Sequence, residues 1–178
     1  MSVKIGDIAP DFRADTTEGR IHFHEWLGES WAVLFSHPRD LTPVGTLEFG
    51  TIESIRAEFD RRGVRIIGLS RDPIGTREGW GSEVEEMQRT PPSYPIIADI
   101  DLNVSKLYGM LPVDVIEGLA GRAPVFHETV RNLFVIAPDK KVKVILACPL
   151  SPERLFDLVL RVIDTFELAV DDKVVMPA

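Results

Sequence analysis

Trp31-Ala32-Val33-Leu34-Phe35-Ser36-His37-Pro38-Arg39-Asp40-Leu41-Thr42-Pro43-Val44-Gly45-Thr46 is the stretch around which the chain is organised. Its first five residues are an unbroken apolar run, the pattern of a strand covered on both faces. Thr42-Pro43 then signals a helix start: a hydroxyl at the N-cap, and at N1 a residue with no N–H to leave unpaired. The apolar residues Ile52, Ile55 and Phe59 continue that helix to about Arg62, where Gly63 stops it. Gly45 falls in the first turn, where unpaired backbone N–H groups and the helix dipole favour negative charge. A strand, a sharp loop and a helix start form a place for a nucleophile, and the residue standing there is glycine.

The surrounding chain alternates strands and helices. Residues 4–24 read as an opening β-hairpin with a turn at Thr17-Glu18-Gly19 and strand alternation in Ile21-His22-Phe23-His24. Glu25 to Glu29 is a short helical or turn segment ending at Gly28. Strands are expected at 31–36, 64–69 and 96–98, a helix over 75–88, a loop at 90–95, and a short helix over 102–108 closed by Gly109. Residues 111–128 are irregular. Asn132–Ile136 and Lys141–Ala147 form a second hairpin through Pro138-Asp139-Lys140. Ser151-Pro152 opens the last long helix, with the apolar stripe Leu155, Phe156, Val159, Leu160, Ile163 and Phe166. The pattern predicts a single α/β domain over residues 1–178, with helices on both faces of a central mixed sheet.

Composition narrows the function. With 178 residues, 44% of them hydrophobic, the chain can bury a proper core. A net charge of −8 without charge runs argues against nucleic-acid or anionic-membrane partners. No stretch is apolar and long enough for a membrane span, and Met1 to Gly6 shows no apolar signal core. One cysteine, Cys148, excludes an internal disulfide, and the expected compartment is the cytoplasm.

His37-Pro38-Arg39-Asp40-Leu41-Thr42-Pro43-Val44-Gly45-Thr46-Leu47-Glu48 resembles the one-cysteine peroxiredoxins of the AhpC/TSA type. In that family the order is His-Pro-Arg-Asp-Phe-Thr-Pro-Val-Cys-Thr-x-Glu. The resemblance continues through Gly6-Asp7-Ile8-Ala9-Pro10, Tyr94-Pro95-Ile96-Ile97, Leu107-Tyr108-Gly109-Met110 and Pro138-Asp139-Lys140-Lys141. It implies a thioredoxin-like fold and a pocket in which a thiolate attacks the terminal oxygen of a hydroperoxide. By position, Thr42, Pro38, Arg131 and Arg154 match the residues that orient the peroxide and stabilise the thiolate. His37 and Glu48 match residues lining the same pocket.

Gly45 departs from that pattern at the attacking atom. Without a sulfur the sulfenic-acid cycle cannot start there. Leu41, Leu47 and Phe49 also differ from the family's usual residues, and Pro112 to His127 is longer and more apolar. Several neighbours changing together favours a natural cysteine-less member over an engineered knock-out. The resemblance further implies that the C-terminal arm found in relatives is largely absent. Its likeness to a strand that pairs across a dimer suggests a homodimer through 141–147.

The leading expectation is a pocket repurposed for a small, oxygen-bearing or anionic molecule, needing no cofactor or metal. Catalytic candidates are His37, Thr42, Gly45, Glu48 and Arg131; substrate-binding candidates are Pro38, Leu41, Arg154 and His127. Two other readings stand beside it: a one-cysteine hydroperoxide reductase inactivated at position 45, and a non-catalytic pseudoenzyme that binds a protein partner. Cys148 has the ordinary reading of a small buried hydrophobe. His22 and His24 share a strand spacing compatible with metal ligands, but no third ligand is near in sequence, so structural histidines are expected.

Overall fold

The computed structural model describes residues 3–36, 43–71, 93–111, 132–147 and 152–171, the backbone alone for 43–50, 152–154 and 170–171. Within them the order is β1 (Arg13–Thr16), β2 (Gly19–His22), α1 (Phe23–Leu27), β3 (Trp31–Ser36), α2 (Pro43–Arg61), β4 (Val64–Ser70), β5 (Ile96–Ala98), α3 (Asn103–Leu107), β6 (Asn132–Ile136), β7 (Val142–Ala147) and α4 (Pro152–Asp171). The strands make one mixed sheet ordered β2-β1-β5-β4-β3-β6-β7. β3 lies inside it, parallel to β4 and antiparallel to β6, and all six of its residues are buried. This is the reason for its continuous apolar run.

Alternation along the strands divides the core between two faces. Trp31, Val33 and Phe35 of β3 join Ile52 and Phe59 of α2 and the whole stripe of α4. Ala32 and Leu34 turn the other way, toward Phe23 and Leu27 of α1 and Val104 and Tyr108 of the α3 segment. The expected architecture, helices on both faces of a mixed sheet, is the one observed. α2 closes as expected, with Gly63 at φ 61, the left-handed value of a helix-ending glycine. Across that face Arg62 makes a two-pronged contact with Asp164 of α4, at 2.5 and 2.9 Å, and joins the two helices.

Two boundaries differ from the sequence reading. The opening hairpin covers only residues 13–22, because residues 4–9 pair elsewhere. Gly6 N–H donates to the Val142 carbonyl at 2.8 Å, Val142 N–H to Asp7 at 3.0 Å, and Ala9 N–H to Lys140 at 2.8 Å. Phe23 is helical rather than the end of a strand. Both it and Leu27, one turn on, are fully buried, and Phe12 stacks on Phe23 at 4.6 Å between ring centres. That burial outweighs the local alternation of Ile21 to His24. The expected helix at 75–88 and the irregular segment at 111–128 lie outside the described residues, apart from Leu111.

The two histidines tie this N-terminal segment down. His24 Nε2 sits 2.8 Å from the Ala9 carbonyl oxygen, and His22 lies between Asp11 at 2.5 Å and Glu25 at 2.9 Å. Glu25 and Asp11 hold the imidazole above its ordinary pKa. Only the imidazolium carries the positive charge that the two carboxylates favour. The contribution is therefore complete below the unfolded value of about 6.5 and fades as pH rises through the higher folded value. Thermal melts of His22→Asn and the parent should differ most near pH 6 and converge at alkaline pH. A difference that grows with pH would contradict the bridge.

α3 depends on a buried acid. Asp99 accepts the N–H groups of Val104 at 3.0 Å and Ser105 at 2.8 Å, together with the Ser105 hydroxyl at 2.6 Å. Asp99→Ala leaves these three donors buried without their acceptor. A loss of about 3 kcal/mol in urea unfolding is expected; a loss below about 0.5 kcal/mol, the range of an ordinary surface change, would refute the capping role.

Candidate active site

Three described chain ends frame the candidate site. β3 ends at Ser36, β6 begins at Asn132, and α2 begins at Pro43. The Ser36 hydroxyl oxygen accepts the Asn132 backbone N–H at 3.0 Å, and both residues are buried. Phe35 pairs with Leu133 in the antiparallel ladder, so the register of the two strands is set up to this point. Ser36 and Asn132 are the chain neighbours of His37 and Arg131. The sequence reading assigned neither of them a role. The available signal was a hydroxyl residue ending an otherwise apolar strand, which must find a partner if buried.

Gly45 is the third residue of α2 and Glu48 the sixth, one helical turn apart on the backbone. Gly45 therefore belongs to the first turn, whose N–H groups have no partner within the helix. Arg154 holds the same third position in α4. The first turn of α2 thus carries a glycine and that of α4 an arginine. Backbone donors and an arginine suit an anionic or oxygen-bearing group chemically. His37, Pro38, Leu41, Thr42, His127 and Arg131 lie outside the described residues, as does Cys148; the side chains of Glu48 and Arg154 do too. Residues 36 and 132 are brought together directly.

The metal-pair spacing of His22 and His24 resolves into the carboxylate and carbonyl contacts above, and no cluster of three metal-ligating side chains occurs among the described residues. Among those residues, no helix is long and apolar enough to cross a membrane.

A mixed sheet covered on both faces, with the candidate motif between β3 and α2 in the chain, is a thioredoxin-like arrangement. The AhpC/TSA family model matches residues 5–145. The chain is 37% identical over 176 residues to the 1-Cys peroxiredoxin of Dictyostelium discoideum, covering 99% of this chain and 69% of that protein. It is 41% identical over 177 residues to peroxiredoxin-6 of Gallus gallus, covering 97% of this chain and 77% of that one. Among solved structures, a cysteine-to-serine mutant of peroxiredoxin 6 from Arenicola marina superposes with a TM-score of 0.83 at 39% identity, covering 99% of this chain and 79% of the other. The yeast mitochondrial 1-Cys peroxiredoxin gives the same TM-score of 0.83, covering 98% and 81%. The chain belongs to the AhpC/TSA family of peroxiredoxins.

Proposed function

We propose that this peroxiredoxin-family protein does not work as a thiol peroxidase through position 45, and that its pocket binds and transforms a small oxygen-bearing or anionic molecule. One observation carries the reading: the first turn of α2 holds Gly45, and the chain's single cysteine is Cys148. What such a pocket retains is a set of hydrogen-bond donors and positive charge. Arg131, Thr42 and Arg154 grip the polar end of the substrate, while Pro38, Leu41 and His127 contact the rest. Glu48 or His37 moves the proton, a role that requires no resident cofactor.

The names of the relatives support the family's chemistry, while the glycine separates this member from it. A single domain over 1–178, acting in the cytoplasm as a homodimer, completes the proposal. β7 supports the dimer: it is the outer strand of the sheet, and half-buried apolar residues run from Val144 to Leu146. Thermal-shift titration with small carboxylates and phosphates tests the pocket. A bound anion should raise the melting temperature, and Arg131→Ala should abolish the rise. An unchanged response in that variant would misplace the site.

A further inference from the structure

At the pole of the molecule opposite the candidate site lies a cavity of about 470 Å³. It is lined by Trp31 at the start of β3, by Ala137, Pro138 and Asp139 after β6, by Lys143, and by Phe166 and Glu167 near the end of α4. α4 alone separates the two poles by roughly 20 Å, from its first residue Pro152 to Phe166 at 1.5 Å per residue. The volume is that of a site for a small organic molecule.

The lining is specific in shape and charge. Trp31 and Phe166 stack with ring centres 6.0 Å apart and planes inclined by 29°, making an aromatic wall. Lys143 is the residue that breaks the β6–β7 ladder: Val135 pairs with Val144 and Ile136 with Val142, leaving Lys143 without a partner in the register. A bulge of this kind re-aims a side chain, and Lys143 Nζ stands 3.3 Å from Asp139. Burial pushes the Asp139 carboxyl up, but the Lys141 N–H and Lys143 outweigh it and hold the group ionised, below its ordinary value. Glu167 is half-buried at the rim, and no ion pair joins it to another described residue. Two carboxylates against one ammonium leave the rim with one net negative charge beside two aromatic rings, a combination that attracts cations.

We infer that this cavity is a second small-molecule site, distinct from the family pocket, for a compact ligand with a flat apolar body and one protonated amine. The body lies against Trp31 and Phe166, and the ammonium meets Glu167. Lys143 neutralises Asp139 and so sets the strength of the attraction.

Calorimetric titration of the full chain with phenethylammonium, and at equal ionic strength with 3-phenylpropionate, tests this. The cation should bind saturably, and the anion more weakly by at least roughly fivefold, the scale of one partly exposed charge. Glu167→Gln should weaken the cation by a similar factor and narrow the gap between the two probes. Lys143→Gln should act in the opposite direction by releasing Asp139. Both substitutions are at half-buried polar positions, and melting curves confirm that the variants fold. Amide shifts should centre on Ala137, Asp139 and Glu167. No saturable binding, equal binding of both probes, indifference to Glu167→Gln, or shifts centred on Gly45 would each overturn the assignment. None of these outcomes bears on the anion titration of the other pole.

Discussion

The unmodified chain is expected to consume hydrogen peroxide no faster than a protein with an ordinary thiol, at least about a thousandfold below a working nucleophile in the same fold. Peroxide reduction needs a thiolate that attacks oxygen and leaves as a sulfenic acid. A helix N-terminus and a nearby arginine lower the pKa of a thiol, but Gly45 offers them no sulfur to act on. Cys148 follows directly on β7, away from the start of α2 in the chain, and its substitution by alanine should remove the slow oxidation of an ordinary thiol and nothing more. Competition against a peroxidase of known rate measures this directly. Enzymatic consumption by the native chain would end the proposal.

Gly45→Cys sharpens the same test. Glycine in a helix costs up to about 1 kcal/mol relative to alanine, so replacing it does not weaken α2 through helix propensity. A folded variant that remains slow is the expected result, because Leu41 stands where the order of the one-cysteine relatives carries an aromatic residue beside the pocket. Rapid turnover by Gly45→Cys would identify an otherwise intact peroxidase and favour the inactivated-reductase reading instead.

The largest stability effect is expected from Phe156→Ala. Phe156 is 1% exposed on α4 and meets Phe35 of β3 at 5.4 Å and Phe59 of α2 at 6.1 Å, edge-on in both cases. It is thus the ring through which the two long helices and the central strand share one core. Its loss removes the transfer energy of a phenyl group and leaves a cavity between three elements, about 4 kcal/mol in all. For a domain of this size the melting temperature should fall by about 10 °C. A fall of only a degree or two would mean that α4 packs loosely there. Phe166→Ala, at the half-buried end of the same stripe, should cost less.

Much of the frame around the site was legible in the residues alone. The apolar run at 31–35, the Thr42-Pro43 start and the Gly63 stop announce β3 and α2 because each signal is local: burial on two faces, a cap, a left-handed glycine. The glycine at position 45 and the motif around it need no coordinates either. The residues between the elements are a different matter. Ser36 was readable as a strand-ending hydroxyl, but its partner, Asn132, lies 96 positions away in the chain.

Folding brings such distant partners together, and local patterns carry no record of it. Residues 4–9 leave the hairpin suggested by their neighbours because the start of β7 offers their backbone groups partners. Phe23 winds into α1 because Phe12 and the sheet provide a place to bury it. Arg62 finds Asp164 across two helices, at a separation of 102 residues, and Lys143 bulges out of a strand whose alternation alone would have placed Val142 and Val144 on one face. Local chemistry specified the elements and the missing sulfur. Long-range burial and backbone pairing, which depend on where other parts of the chain arrive, specified their joints.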